Sequence, residues 1–174
     1  MKNDQFVIAV YVDNKFGVLT RVTSMFTRRG FNIDSLTVGE TESPEYSRIT
    51  LTMSGDGYAK TQMLNQLRKL YNVKKVELLE PGNSISRELL LIKVKNQQET
   101  RQDVLTAVNV YRGSIIDYSM EAMTIEMTGD PSKIDAFIEL LKPYTIIELC
   151  RTGLVSMERG AGSILEKERP DKAQ

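Results

Sequence analysis

The chain has 174 residues, of which 41% are hydrophobic and 26% charged, enough for two small domains with buried cores and too apolar for a disordered chain. Its 23 basic residues balance 23 acidic ones, so net charge gives no reason to expect nucleic acid or a membrane surface as a partner. No apolar run approaches the roughly 18 residues that cross a bilayer, and the N-terminus carries no secretory segment, so a cytoplasmic protein is expected.

In chain order, the first half predicts a strand, a helix, two strands, a second helix and a closing strand. The strands are apolar or alternating runs at residues 6–12, 33–39, 47–54 and 73–79. The first helix follows Gly17 and carries one apolar stripe, formed by Val18, Leu19, Val22, Met25 and Phe26. Gly30 is placed to end this helix in a left-handed conformation, and Asp56 is placed to cap the second helix.

The second half predicts the same order of elements. Its strands lie at residues 88–94, 114–119, 122–128 and 145–151, and its helices at 102–112 and 131–142. The Pro-Gly-Asn-Ser sequence between the halves is a natural break. The predicted boundaries are residues 1–80 for the first domain, 81–84 for the linker, 85–160 for the second domain and 161–174 for a flexible tail.

Two motifs recur in the two halves. Residues 29–34 and 112–117 share the pattern Arg-Gly-x-x-Ile-Asp, and residues 50–56 and 124–130 share Thr-x-x-Met-x-Gly-Asp. Two motifs in the same order favour an internal duplication. A βαββαβ unit closes into a four-stranded antiparallel sheet with both helices on one face. The sequence therefore predicts an α+β fold made of two ferredoxin-like βαββαβ domains.

Histidine is absent and Cys150 is the single cysteine. The lack of histidine removes the usual general base near neutral pH and the commonest zinc ligand. One cysteine excludes an internal disulfide and a multi-cysteine metal site, and its apolar strand places Cys150 in the core. We expect no catalytic residue, no metal site and no cofactor held by this chain.

The loop between the first strand and the first helix carries the chemistry of most interest. A glycine at a helix start lets a ligand approach the backbone, and the free N–H groups near Gly17 and Val18 favour a carboxylate. Asn14 adds a side chain that can donate to a carboxylate or accept from an ammonium group. The pattern suits an amino-acid zwitterion. The alternative, favoured by these residues alone, is a plain turn in which Asn14 caps the helix and Gly17 serves only backbone geometry.

Comparison of the repeats favours the binding interpretation. The corresponding loop, residues 95–100, has no glycine, and Asn32 is replaced by Ile115. Asn32 is predicted on the second strand, an edge strand open to pairing with another subunit. The expected result is a homodimer with sheets joined edge to edge and ligands at the seam. The alternative is an edge strand that is simply exposed to solvent. Separately, the acidic residues Glu40, Glu42 and Glu45 could hold a cation, but a solvated hairpin is favoured.

At this point the sequence resembles a known family. Asn14, Gly17, Leu19, Arg21, Val22 and Phe26, with the run at residues 29–38, resemble the N-terminal ACT domain of acetolactate (acetohydroxyacid) synthase regulatory small subunits. The run at 29–38 is specific to that family. The resemblance continues through residues 112–117 and 135–137 to 151–153 and 159–160.

The resemblance implies a regulatory subunit, not an enzyme. Such subunits bind a catalytic subunit that uses thiamine diphosphate, Mg and FAD, raise its activity, and confer feedback inhibition by branched-chain amino acids, chiefly valine. The family binds its effector between two ACT domains of a homodimer. The matching positions are Asn14, Gly17, Val18 and Leu19 of one subunit and Asn32 and Ile33 of the facing subunit. Relatives often carry alanine where this chain has Val18.

Two other functions are compatible with the predicted fold, because fold alone does not fix function. A small enzyme would need converging acid–base or anion-binding residues, and none has convincing spacing. An ACT-type sensor of a different enzyme or of a transcriptional regulator is the other possibility. The neutral net charge argues against the transcriptional version.

Overall fold

The structure, a computed structural model, describes residues 4–165, which form two compact units. The first contains the described residues up to Ile85 together with those from Leu154 onward, and the second is Ser86–Gly153. In each unit, the four strands of a βαββαβ repeat are neighbours in an antiparallel sheet. The predicted α+β fold of two ferredoxin-like domains is confirmed.

The first unit has its sheet in the strand order β2-β3-β1-β4, so β2 and β4 are its edges. Its elements are β1 (Asp4–Asp13), α1 (Val18–Arg28), β2 (Ser35–Glu40), β3 (Tyr46–Gly55), α2 (Gly57–Arg68) and β4 (Val73–Leu79). Alternate residues of the strands and the apolar stripes of both helices meet in one core. Its fully buried members include Ile8, Val10, Val22, Phe26, Ile49, Leu51, Met53, Met63 and Leu67.

The predicted helix ends in this unit are confirmed. Gly30 follows α1 with φ +69°, a left-handed conformation that suits glycine. Asp56 caps α2 by accepting a hydrogen bond from the Ala59 backbone N at 2.8 Å.

Strand β2 begins two residues later than predicted, so the placement of Asn32 on the strand was wrong. Asn32 and Ile33 lie in the connection before β2. There the Asp34 carboxylate accepts from Asn32 Nδ2 at 3.3 Å and from Ser54 Oγ at 2.7 Å. Together with the Asp34 backbone N–H, which donates to the Thr52 carbonyl at 2.8 Å, these hydrogen bonds fasten the connection to β3. The predicted edge position of β2 is confirmed.

The second unit follows a short 3-10 turn at Pro81–Asn83. Its elements are β5 (Ser84–Lys95), α3 (Arg101–Val110), β6 (Ser114–Tyr118), β7 (Ala122–Gly129), α4 (Pro131–Leu141) and β8 (Ile146–Arg151). The sheet order is β6-β7-β5-β8. A separate core includes the fully buried Leu90, Ile92, Met123, Ile125, Ile134 and Phe137. Strand β5 begins inside the predicted linker, because the turn needs only three residues.

Cys150 is exposed, and its predicted place in the core was wrong. It lies on the edge strand β8 and pairs with Leu91. The neighbours Leu90 and Ile92 point into the core, so alternation along β5 places Leu91 and Cys150 on the opposite face. An apolar run on an edge strand does not by itself show which face is covered.

A ninth strand, β9 (Val155–Glu158), was not predicted and pairs with β5. Residues 154–165, here called the C-terminal strap, belong to the first unit although residues up to 160 were assigned to the second domain. Arg48 on β3 donates to the Ser156 carbonyl at 2.7 Å, and Ile164 packs with Ala9, Tyr11 and Leu79. The strap therefore covers the face of the first sheet that the helices leave open.

The strap also includes the start of the predicted flexible tail. Ile164 is buried, so this part is anchored by apolar packing. Residues 166–174 lie outside the described residues. None of the helices within residues 4–165 is long and apolar enough to cross a membrane.

We expect Ile164→Asp to detach the end of the strap and lower the free energy of unfolding of the first unit by about 2 kcal/mol. A buried isoleucine contributes roughly this much by leaving water, and a carboxylate cannot stay in its place without a partner. Urea denaturation followed by tyrosine fluorescence measures the change.

Leu165→Asp is the matched control, because Leu165 is the next residue and is exposed. It should change the urea midpoint little. Equal midpoints for the two variants would contradict the packing of Ile164 on the sheet.

Candidate functional site

The loop between β1 and α1 is built around Gly17, which is the N-cap residue of α1. Gly17 has φ +78°, and a Cβ added to it would meet no atom within 4 Å. Glycine is therefore required for the left-handed backbone and not for lack of space. The open space above Gly17 is available to a ligand.

Asn14 does not cap α1, so the capping role considered for it was wrong. Its Nδ2 donates to Glu40 Oε1 and to the Pro44 carbonyl, both at 3.0 Å, and its backbone N donates to the Glu45 carbonyl at 2.7 Å. These three bonds fasten the loop to the hairpin between β2 and β3. Because both N–H bonds of the amide are used, the group left for a ligand is the acceptor Oδ1.

The first turn of α1 has no side-chain cap. The Val18 N–H donates to the Lys15 carbonyl at 3.3 Å, so the donors still available are those of Leu19 and Thr20. These N–H groups and the positive end of the helix suit a carboxylate. The Val18 side chain is buried in the core, whereas the Leu19 side chain is exposed, so of the two only Leu19 offers apolar surface to a ligand.

Asp13 anchors the base of the loop. Its buried carboxylate lies 3.0 Å from Lys74 Nζ and accepts from Asn72 Nδ2 at 3.0 Å, while Asn72 Oδ1 accepts from Arg21 on α1 at 2.7 Å. Burial opposes the charge of Asp13, but Lys74, Asn72 and the nearby Lys15 together hold its pKa below the usual value. The network fixes the start of the loop relative to α1 and β4.

This arrangement predicts how acid affects the first unit. A carboxyl whose pKa is lower in the folded state stabilises the fold above its unfolded pKa, and that stability is lost as pH falls through the folded pKa. Asp13→Asn should cost about 1–3 kcal/mol at pH 7, since a charged hydrogen-bonded pair is lost. The same variant should lose less further stability than wild type between pH 5 and 3, measured by urea denaturation at each pH.

Asp117→Asn is the control, because Asp117 is exposed on β6. It should keep the wild-type loss of stability in acid. An Asp13→Asn variant with the full wild-type acid dependence would show that Asp13 does not contribute to it.

The structure brings Asn14, Gly17, Val18 and Leu19 together but not Asn32 and Ile33. The latter two follow the other end of α1, whose 11 residues span about 16 Å. Asn32 is exposed and Ile33 is half-buried. Strand β2 then runs back along α1, so that Glu40 at its end reaches Asn14. One subunit therefore holds the two predicted halves of the site at opposite ends of α1.

In the second repeat, Asn96 fastens the corresponding loop to its hairpin as Asn14 does, but its side-chain acceptor is occupied. Asn96 donates from its backbone N to the Glu121 carbonyl at 2.8 Å and from Nδ2 to the Ser119 carbonyl at 2.6 Å. Its Oδ1 accepts from Arg101 Nε at 2.7 Å, and the side chain is buried. The acceptor that is open in Asn14 is thus occupied in Asn96 by a cation of the same chain.

Sequence reasoning missed two residues of the loop region. Glu40 was grouped with a solvated hairpin, and its hydrogen bond to Asn14, 26 positions away, has no signal in a single sequence. Phe16, beside Gly17, is fully exposed, an unusual position for a large apolar ring that was not singled out. Among the described residues, no group of three or more acidic or cysteine side chains is placed to hold a metal ion.

Each of the two units matches a known protein family. Residues 8–75 match the family described as the AHAS small subunit-like ACT domain, and residues 87–160 match the family described as the small subunit of acetolactate synthase.

Similar proteins match over nearly their whole length. A probable acetolactate synthase small subunit from Methanothermobacter thermautotrophicus is 46% identical over 162 residues, which cover 92% of this chain and 96% of that protein. The acetolactate synthase small subunit of Mycolicibacterium smegmatis is 46% identical over 157 residues, covering 90% and 92%. The crystal structure of the Thermotoga maritima small subunit superposes with a TM-score of 0.85 at 42% identity, covering 90% of this chain and 98% of that one.

The resemblance noted in the sequence is thereby confirmed, with an ACT domain in the first unit. The chain belongs to the family of acetolactate synthase small subunits, the regulatory subunits of that enzyme.

Proposed function

We propose that this chain raises the activity of a thiamine-diphosphate-dependent catalytic subunit in the cytoplasm and makes it sensitive to feedback inhibition by branched-chain amino acids, chiefly valine. The observation that carries the proposal is the loop at Gly17, where a left-handed glycine and an uncapped helix start lie beside an asparagine acceptor. This chain contributes no catalytic group. Thiamine diphosphate, Mg and FAD belong to the catalytic subunit.

The effector site is shared by two copies of the chain. Edge strands paired across a twofold axis run antiparallel, so the start of one β2 lies beside the end of the other. Strand β2 has six residues and spans about 20 Å, similar to the length of α1. Such pairing brings Asn32 and Ile33 of the facing subunit toward Asn14 and Gly17. This is why residues held apart in one copy can form a single site in the homodimer.

The chemistry of the site suits a small apolar amino acid. The carboxylate of the effector meets the N–H groups of Leu19 and Thr20, and its ammonium group meets the Asn14 acceptor. The branched side chain packs on exposed Leu19 and on Ile33 of the facing subunit. Burying a few methyl groups contributes about 0.8 kcal/mol for each carbon, which favours valine, leucine and isoleucine over alanine.

Regulation requires that the effector bind one arrangement of the complex more tightly than another. A coupling free energy of about 1–3 kcal/mol is usual for such effects. The second repeat has its loop closed by Asn96 and Arg101 and so offers no comparable effector site. We therefore assign contact with the catalytic subunit to the second unit.

The test is reconstitution. The tagged chain is mixed with the acetolactate synthase catalytic subunit of the same organism, co-purified, and assayed for pyruvate condensation with and without valine, leucine or isoleucine. Co-purification, a higher rate and inhibition by valine are expected. If the subunits do not associate and the rate is unchanged, the chain regulates a different enzyme or none.

A further inference from the structure

A cleft opens at the surface of the first unit between the C-terminal ends of α1 and α2. Its volume is about 440 Å³, which is in the range of small-molecule sites. Its floor is apolar, because Met25 is buried and Leu70 packs against the same core. Three cations and one amide surround this floor, namely Arg28, Arg29, Lys69 and Gln66.

The cations of the cleft have no carboxylate beside them. Among the described residues, those that line the cleft include no aspartate or glutamate. Arg28, Arg29 and Lys69 form no ion pair within residues 4–165. The sequence segments 14–33 and 57–76, which contain the two helices, carry no acidic residue at all. The balanced net charge of the chain therefore does not extend to this helix layer, which is locally positive.

The helix dipoles account for only part of this positive charge. Arg28 lies in the last turn of α1, and Arg29 and Lys69 are the C-cap residues of α1 and α2, where cations are favourable. Each helix end carries roughly half a negative charge, so the two ends offset about one of the positive charges. About two positive charges remain. A phosphate monoester, with a charge of about −1.5 to −2 at pH 7, matches this remainder.

Arg29 is held across the cleft by an amide instead of a carboxylate. Its Nη2 donates to Gln66 Oε1 at 2.8 Å, which joins the end of α1 to α2. A guanidinium presents several N–H donors in a rigid fork, so an amide that accepts from one nitrogen leaves donors for an anion. Arg151 of the second unit differs, because two carboxylates accept from it. The amide therefore fixes the position of Arg29 without cancelling its charge.

We propose that this cleft binds a small phosphate monoester that carries an apolar group. The phosphate lies between Arg28, Arg29 and Lys69, and the apolar group packs on Met25 and Leu70. Guanidinium groups bind phosphate oxygens through paired, charge-assisted hydrogen bonds, which favours a phosphate over a monocarboxylate. This site goes beyond the proposed function and does not depend on the loop at Gly17.

The experiment is a titration of phenyl phosphate into the full chain, labelled with ¹⁵N, at pH 7 and constant ionic strength. The backbone amide signals of residues 25–30 and 66–70 should shift and saturate, and their shifts give the dissociation constant. Inorganic phosphate is titrated in parallel. Because the phenyl ring leaves water when it packs on the apolar floor, phenyl phosphate should bind about tenfold more tightly than inorganic phosphate.

Arg29→Gln is the variant that tests the site. It should weaken phenyl phosphate binding about tenfold, since it removes charge-assisted hydrogen bonds to the phosphate. Arg68→Gln is the matched control, because Arg68 is an exposed cation of α2 that lies outside the cleft. It removes the same charge and should stay within about twofold of wild type. Arg29→Lys keeps the charge but loses the fork, and its loss should be intermediate.

Three results would overturn the proposal. The first is the absence of saturable shifts when phenyl phosphate is added to the wild-type chain. The second is equal weakening in Arg29→Gln and Arg68→Gln, which would indicate general attraction to a basic surface. The third is binding of inorganic phosphate as tight as that of phenyl phosphate, which would indicate an adventitious ion only.

Discussion

A Gly17→Asp variant is expected to raise the valine concentration needed for half-inhibition of the reconstituted complex by more than about 100-fold, with activation of the catalytic subunit retained. The new carboxylate would lie at the uncapped start of α1, where the effector's own carboxylate is expected. It would satisfy the same N–H groups and repel the ligand. Because Gly17 has φ +78°, the variant should also lose about 1 kcal/mol of unfolding free energy.

Two controls separate charge from backbone strain. Gly160 has φ +82° with no atom within 4 Å of an added Cβ, so Gly160→Asp adds the same strain and charge in the strap. It should leave valine inhibition intact. Gly17→Ala adds the strain without the charge and should weaken inhibition much less than Gly17→Asp. Unchanged valine inhibition of the Gly17→Asp complex would refute the assignment of the site.

The largest effect on stability is expected in the second unit, at the buried carboxylate of Glu88. Only 8% of its side chain is exposed, and Arg151, which is 30% exposed, donates to it through Nε and Nη2 while Nη1 donates to Asp135. Burial opposes the charge of Arg151, but these carboxylates raise the pKa of the guanidinium, so it stays charged at every usable pH. Removing one partner of such a pair leaves an uncompensated buried charge.

Arg151→Met should therefore lower the free energy of unfolding of the second unit by about 3 kcal/mol, measured by urea denaturation at pH 7. The matched control is Asp135→Asn, which removes the outer carboxylate of the same network. Its side chain is 60% exposed, so a change below about 1 kcal/mol is expected. The double variant Glu88→Gln with Arg151→Met should recover much of the loss. Equal losses in Arg151→Met and Asp135→Asn would contradict the expectation that the ion pair with buried Glu88 contributes more stability than the one with exposed Asp135.

The order and type of the helices and strands were predictable because each repeat carries strong local patterns. Alternating and apolar runs marked eight of the nine strands found in residues 4–165. Asp56 and Gly30 marked helix ends through hydrogen bonds that reach only three or four residues. Strand β9 had no such signal. It is four residues long, and its placement depends on Arg48, which is 108 positions away from Ser156.

The candidate site was predictable as a set of residues but not as an arrangement. The repeats differ at Gly17 and Asn32, and a single sequence shows that difference directly. It does not show that both N–H groups of the Asn14 side chain donate to the hairpin, or that Asn96 Oδ1 already accepts a hydrogen bond. Those facts decide which group of Asn14 remains for a ligand.

The sequence by itself determined the two ferredoxin-like repeats, the family and the glycine at which α1 begins, because these follow from local periodicity, backbone preference and motif. Only the tertiary structure decided that Leu19 of the predicted apolar stripe is exposed, that Cys150 faces solvent and that Glu40 lies against Asn14. Each of these depends on which sheet face is covered or on which distant segments meet. The energies that fix them arise from burial and hydrogen bonding between residues far apart in the chain.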